Sequence, residues 1–154
     1  MTYPLRPNVC MLLYNQEGKL LLGERLGEPE VWQLPQGGIE EGSSAEECAL
    51  RELHEELGVE SVHLRLTKKL IATHSYTFNK PKRYGKNVWS GQTQTFCLVE
   101  FLGKDADIKL ARFEAEFSSF RWCTPEEVRA LAEPKRLAGY LEPLREFEEW
   151  RVRL

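Results

Sequence analysis

Glu52, Glu55 and Glu56 stand three and four residues apart along a stretch with helical patterning. At roughly 100° per residue they fall within an arc of about 100°. Ala45 and Cys48 share that sector and Ala49 sits at its edge, while Leu50, Leu53 and Leu57 lie to one side. Like charges at these spacings repel by about 0.2–0.5 kcal/mol per pair. Arg51 is the only strong base in the helix. On charge alone an exposed glutamate-rich helix would explain the pattern as well as a metal site. The Gly37-Gly38 pair upstream favours the metal, because paired glycines let backbone groups approach a ligand closely. Mg²⁺ is the natural compensator: it takes carboxylate oxygens and keeps waters that a phosphate substrate can displace.

The elements that position these groups follow from local signals. Val9 to Tyr14 is apolar, Asn15-Gln16-Glu17-Gly18 is a turn signal, and Lys19 to Arg25 completes a β-hairpin. Val31 to Leu34 is a short strand, and Pro35-Gln36-Gly37-Gly38 an irregular loop. A helix spans about Ser44 to Leu57. Ser43 with Glu46, or Ser44 with Glu47, can form its capping box, and Gly58 ends it as a left-handed cap. Val62 to Phe78 reads as one bent or broken strand, Asn79 to Gly91 as a basic loop, and Thr93 to Leu102 as a strand. Gly103 to Glu116 reads as a loop or ragged edge strand, and Phe120 to Cys123 as a short strand. Thr124-Pro125-Glu126-Glu127 starts a second helix. A last helix runs from about Lys135 toward Trp150, with Pro143 able to kink or split it. The whole reads as one α+β domain of α/β/α type.

Gly37 to Val59, GGIEEGSSAEECALRELHEELGV, resembles the Nudix box, G-x5-E-x7-R-E-U-x-E-E-x-G-U with U aliphatic. Gly37, Arg51, Glu52, Leu53, Glu55, Glu56, Gly58 and Val59 match, and Ser43 stands where the pattern has Glu. The resemblance implies a Nudix-type α/β/α sandwich with a mixed central sheet and a catalytic loop–helix–loop. It also implies Mg²⁺, with Mn²⁺ as a substitute, on Glu52, Glu55, Glu56 and the Gly37 carbonyl. Arg51 would orient the glutamates. In such boxes the displaced Glu is usually a partner of the arginine, so Ser43 bears on the anchoring of Arg51, for which Glu47 could substitute.

Arg6 to Val9, Trp32 to Gly38, Gly91 to Phe96 and Glu116 to Trp122 are similar to the branch of this family that hydrolyses 5′ pyrophosphate ends of RNA and dinucleoside polyphosphates. That branch implies Glu116 as a further metal ligand, Gln36 and Gly38 at the substrate, and Lys135 of the Lys135-Arg136 pair near it. Lys82 and Arg83 in the basic stretch would neutralise polyphosphate and Tyr76 would stack a base. Arg6 and Arg25 are candidates for phosphate or base contacts, and Gln92 and Gln94 alternate on a strand that could face the site.

The expected reaction is attack of water on a phosphorus of a 5′ polyphosphate, assisted by two or three Mg²⁺. Glu55 is the first candidate for general base and Glu116 the second. On triphosphate RNA the products are monophosphate RNA and pyrophosphate. The rivals are a dinucleoside tetraphosphate hydrolase, a free-nucleotide hydrolase, and a catalytically weakened domain that binds nucleotides or RNA ends.

Composition narrows the classes. The 154 residues suffice for one ordinary core. With 42% hydrophobic and 29% charged residues the chain is neither a disordered tail nor a membrane protein. Met1 to Pro7 carries no apolar export segment, and Cys10, Cys48, Cys97 and Cys123 form no C-x-x-C pair, so a reducing cytoplasm is expected and structural zinc is not. The net charge of −3 hides −7 over residues 40–60 and +7 over residues 61–99. Without a basic tail, bulk binding to duplex DNA is not expected.

Overall fold

The computed structural model describes residues 2–153 and holds one seven-stranded mixed sheet between two helical layers. The strands are β1 (Leu5–Tyr14), β2 (Leu20–Arg25), β3 (Trp32–Gln33), β4 (Gln36–Gly38), β5 (Leu64–Tyr84), β6 (Asn87–Phe101) and β7 (Phe117–Cys123). The helices are α1 (Ala45–Leu57), α2 (Pro125–Leu131) and α3 (Pro134–Val152). The main order is β3-β2-β1-β6-β5, with β4 paired to β1 and β7 to β2. β1 and β6 run parallel, and the other pairings are antiparallel.

β1 is apolar from Val9 to Leu13 because both of its faces are covered there. Val9, Met11 and Leu13 pack with Leu53 and Leu57 of α1. Cys10 and Leu12 alternate with them and pack with Tyr140, Leu144 and Phe147 of α3. Burying one such side chain is worth about 1.5–3 kcal/mol. α1 is thus fixed by its leucines, and the carboxylates on its neighbouring face take whatever position that packing dictates.

Several local expectations are revised. The N-cap of α1 is Ser44, whose Oγ accepts from the Glu47 amide while Glu47 accepts from the Ser44 amide. Ser43 lies outside the helix, and Glu47 is thereby committed to capping. Gly58 ends the helix at φ 65°, as expected. Gln36–Gly38 is a short strand hydrogen-bonded to β1. The stretch from Asn79 to Gly91 is a β-ribbon formed by the ends of β5 and β6, with its turn at Gly85. The lysines hid it: their polarity resembles a loop, yet both edges of a projecting ribbon are solvated and tolerate them.

β5 is bent, with register shifts between Leu66 and Lys68, between Lys69 and Thr73, and between Thr77 and Lys82. At the middle irregularity the Glu146 carboxylate of α3 accepts from the Ile71 amide at 2.9 Å and the Ala72 amide at 3.0 Å. A second contact ties α3 to β5. A Cβ on Gly139 would lie 2.6 Å from the His74 ring, so only glycine admits that packing. Pro143 does not split α3, which runs unbroken from Pro134 to Val152. No helix of the described residues is long and apolar enough to cross a membrane.

Candidate functional site

The glycine strand β4 lies against α1, and side-chain volume is excluded there. A Cβ on Gly37 would sit 2.2 Å from Cδ of Glu52. A Cβ on Gly38 would sit 2.4 Å from Nη2 of Arg6. The backbone at this point therefore reaches a carboxylate on one side and a guanidinium on the other. The Gly37-Gly38 pair is needed for close approach, not for a left-handed conformation.

Arg51 fans out over the acidic face. Nη2 lies 3.2 Å from Glu52 Oε1 and 3.5 Å from the Gly38 carbonyl. Nε is 3.8 Å from Glu55 Oε1, and Nη1 is 3.4 Å from Glu40 Oε2. Glu40 is the partner that sequence reasoning missed. It belongs to the loop between β4 and α1, and no spacing rule connects it to Arg51.

Glu56 is buried, and neither carboxylate oxygen has a hydrogen-bond partner. Burial pushes it well above the ordinary carboxylate range; the neighbouring Glu116 and Glu52 add to this, and the Gln36 backbone N–H, nearby but outside hydrogen-bond geometry, opposes it only weakly. Burial likewise raises Glu52, with the Arg51 hydrogen bond acting against it. A buried acceptor without a donor is costly. A divalent cation relieves that cost, and it also uses the close Gly37 backbone. Among the described residues no three His, Cys, Asp or Glu side chains already converge in ligating geometry. The residues nevertheless fit a cation in donor chemistry: hard oxygens, an orphaned buried carboxylate and a cradle that a Cβ would fill.

These groups border a cleft of about 530 Å³. Of the expected residues, it brings together Arg6, Arg25, Gln36, Gly37, Gly38, Glu52, Glu55, Tyr76, Lys82, Gln92, Glu116 and Lys135. Glu56 opens instead into a neighbouring cavity with Glu52, Glu55, Glu114 and Glu116. Gln94 lies behind the wall: its Nε2 donates to Asn8 and to Gln36 Oε1, bracing Gln36. Arg83 does not line the cleft. It is exposed, its Nη1 donates to the Lys86 carbonyl, and it pairs across the ribbon with Val88. Alternation puts it on the face opposite Lys82 and Tyr84, which do line the cleft.

Arg6 is the best supported cation of the cleft. Nη1 donates to Gln92 Oε1 at 3.1 Å, Gln92 Nε2 donates to the Tyr76 hydroxyl, and the guanidinium carbon lies 4.1 Å from the centre of the Tyr84 ring. Among the described residues it forms no ion pair, so its charge is free for an anion. Arg25 is partly spent on Glu28 at 2.5 Å and on Gln33 at 3.0 Å. Lys135 and Arg136 both pair with Glu133, at 3.0 and 3.1 Å. Burial alone would raise the Glu133 carboxyl, but these two partners hold it below its ordinary value.

His74, Tyr76, Phe78 and Tyr84 form a row of rings with successive centroids 5.9, 5.9 and 6.5 Å apart. Phe78 is a residue that sequence reasoning missed, although its i+2 relation to Tyr76 was the available signal. Behind Tyr76 and Phe78 lies a second cavity of about 600 Å³, reaching Tyr140 and Arg136 of α3.

A carboxylate helix fed by a glycine strand, opening on a cationic and aromatic cleft, defines a class of hydrolase that works on phosphate groups with bound divalent cations. Residues 4–147 match the NUDIX domain, and the chain belongs to the Nudix hydrolase family, whose members use divalent metal ions. Among its curated relatives, the RNA pyrophosphohydrolase of Cereibacter sphaeroides is 38% identical over 152 residues, covering 96% of this chain and 93% of the relative. The RNA pyrophosphohydrolase of Novosphingobium aromaticivorans is 35% identical over 153 residues, covering 95% and 94%. The fold is similar to that of the Escherichia coli dihydroneopterin triphosphate pyrophosphohydrolase, with a TM-score of 0.69, 21% identity and full coverage of both chains. It is also similar to that of a Caenorhabditis elegans Ap4A hydrolase, with a TM-score of 0.66, 18% identity and coverage of 96% and 99%.

Proposed function

We propose that the protein removes pyrophosphate from the 5′ triphosphate end of RNA, leaving a 5′ monophosphate, with Mg²⁺ as its cation. The carrying observation is the cleft that joins Glu52 and Glu55 of α1 and Glu116 to Arg6, which forms no ion pair among the described residues, to Lys82 and to the ring row. A 5′ triphosphate presents a dense anion followed by a base, and this cleft offers oxygen donors for its cations, then positive charge, then aromatic faces in that order. The names of the relatives at 34–38% identity support the RNA substrate.

In this reading Glu52, Glu56, Glu116 and the Gly37 carbonyl hold the cations and Glu55 is the general base. When bound, the cations supply charge neutralisation for the phosphates and activation of water. Glu55 is exposed in the cleft, where a carboxylate can take a proton from an attacking water. Glu56 is unsuited to that role because it is buried away from the cleft. Arg51 bridges Glu52 and Glu55 and keeps both aimed at the Gly37 edge. Arg6 and Lys82 bind the polyphosphate, and the row of Tyr76, Phe78 and Tyr84 offers ring faces to the first nucleoside. No Ser or Cys nucleophile is required, and all four cysteines are buried.

A dinucleoside tetraphosphate is the second reading, favoured by the cavity behind Tyr76 and Phe78, which has room for a second nucleoside. The test is kcat/KM with Mg²⁺ on triphosphate RNA, diadenosine tetraphosphate and free nucleotides. Preference for triphosphate RNA with release of pyrophosphate is expected. Preference for the dinucleotide would favour the second reading. Inactivity on every substrate with retained nucleotide binding would overturn both in favour of a binding module, the outcome that Ser43 raises.

A further inference from the structure

The projecting end of the β5–β6 ribbon carries charge that the catalytic cleft does not use. Lys82 faces the cleft, and Lys80 faces the second cavity. Arg83 and Lys86 are exposed and line neither. Among the described residues none of these four forms an ion pair. The ribbon end also lies past the rest of the sheet: β1 pairs with β6 only from Gly91 onward and the segment before it bonds no further than Ser90, so residues 78–89 have no strand beyond β6. Between the Thr77–Gly91 and Tyr84–Asn87 pairs β6 takes four steps, roughly 13 Å at about 3.3 Å each, a length greater than one nucleotide.

Charged residues on an edge strand can serve only to block strand-to-strand association. That role, for which lysine is the usual residue, accounts for charge along β5 but not for Lys86, which lies in the turn between β5 and β6. Here residues 79–91 contain four Lys or Arg and no Asp or Glu. A single sign, left unpaired on both faces of a projecting ribbon, is a cost unless an extended polyanion lies there.

We propose that Arg83 and Lys86 at the ribbon tip dock the sugar–phosphate backbone of the RNA chain beyond the nucleotides held in the cleft. The proposal rests on RNA being the substrate and assigns a surface to the part of it remote from the reaction. The partner is single-stranded RNA: the ribbon tip meets successive phosphates, so binding there carries no sequence preference and weakens with salt.

The test compares the wild type with Arg83→Ala/Lys86→Ala on two substrates, a triphosphate dinucleotide and a long unstructured triphosphate RNA. On the long RNA, kcat/KM falls roughly five-fold, the loss lies in KM, and the salt dependence of log KM flattens by about 1.4, near 0.7 for each phosphate no longer neutralised. On the dinucleotide, kcat/KM changes less than two-fold. Equal losses on both substrates, or none on the long RNA, would overturn the ribbon proposal while leaving the hydrolase reading intact. Anisotropy of a long 5′-monophosphate RNA, measured without metal, reads the same surface independently of turnover. Weaker binding by the variant supports the proposal even if the enzyme prefers another substrate, and unchanged binding overturns it. Self-association of the variant with unchanged RNA binding would assign the charges to edge protection instead.

Discussion

The acidic helix and the basic ribbon carry equal and opposite formal charge, −4 over residues 45–57 and +4 over residues 79–91, and dispose of it in opposite ways. On α1 the charges converge. Glu52, Glu55 and Glu56 share one helical sector, Arg51 draws two of them together, and Glu56 is buried without a partner. On the ribbon the charges diverge. Lys80 and Lys82 line the cavities of the catalytic side, while Arg83 faces the other side of the pleat. Convergent charge suits a small, compact counterion whose position must be fixed to a fraction of an ångström. Divergent charge suits a long, flexible counterion that is held at many weak points. The first costs stability unless its ion is bound; the second costs little and responds to salt.

The largest effect expected from this contrast is at Glu56. Glu56→Gln keeps the volume and removes the carboxylate. Mg²⁺-dependent hydrolysis of triphosphate RNA falls by roughly 10³-fold or more, as for loss of several kcal/mol of cation assistance. Stability moves the other way. An amide carries no charge to bury, so the metal-free Tm holds or rises by about 2–4 °C. Kinetic assay and a thermal melt of the same preparation check both halves. Retained turnover would remove Glu56 from the metal site, and a fall in Tm would mean that its buried oxygens are structurally satisfied.

A smaller effect is expected where the ribbon is aimed. Glu146 of α3 accepts from the Ile71 and Ala72 amides at the bend of β5, a few residues before Tyr76. Charge-assisted bonds of this kind are worth about 1.5–3 kcal/mol. Glu146→Ala frees the bend and lets the wall carrying Tyr76, Phe78 and Lys82 drift from the glutamates. KM for triphosphate RNA rises roughly three- to ten-fold while kcat stays within about two-fold, because the metal helix is untouched. Glu146→Gln, which keeps one acceptor, recovers part of the loss. Hydrogen exchange at Ile71 and Ala72 provides the local readout, and unchanged protection there would detach Glu146 from ribbon placement.

The same contrast explains what is legible before folding. The glutamates of α1 are legible because helical spacing is local: three residues within five positions define one face whatever surrounds them. The glycine strand is legible as a close approach, although its partner, Glu52, is fifteen positions away from Gly37. The ribbon reads as a loop because lysine and proline lower strand propensity, and its length is set by pairing with residues 87–91. Arg83 groups with Lys82 by adjacency, and strand alternation separates them. Glu40 and Glu146 have no signal at all. Each is an exposed or half-buried glutamate among 24 acids, distinguished only by the tertiary contact it makes.

Ser43 sharpens the comparison with the smallest expected effect. A glutamate at this position would supply Arg51 with a carboxylate, and in its absence sequence spacing points to Glu47 as the substitute. Glu47 is held in the capping box instead, and Arg51 already contacts Glu40, Glu52, Glu55 and the Gly38 carbonyl. The Glu40 contact is solvent-exposed, so it contributes only about 0.2–1 kcal/mol. An added carboxylate at residue 43 therefore competes for a guanidinium with few free donors, and Ser43→Glu changes kcat/KM by less than about three-fold. Glu40→Gln alone lowers it by a similar factor, and Ser43→Glu in that background recovers the loss, a coupling that the double-mutant cycle measures. A gain of about ten-fold or more from Ser43→Glu alone would mean that Arg51 is poorly anchored in the natural chain, and that convergence on α1 is weaker than its geometry indicates.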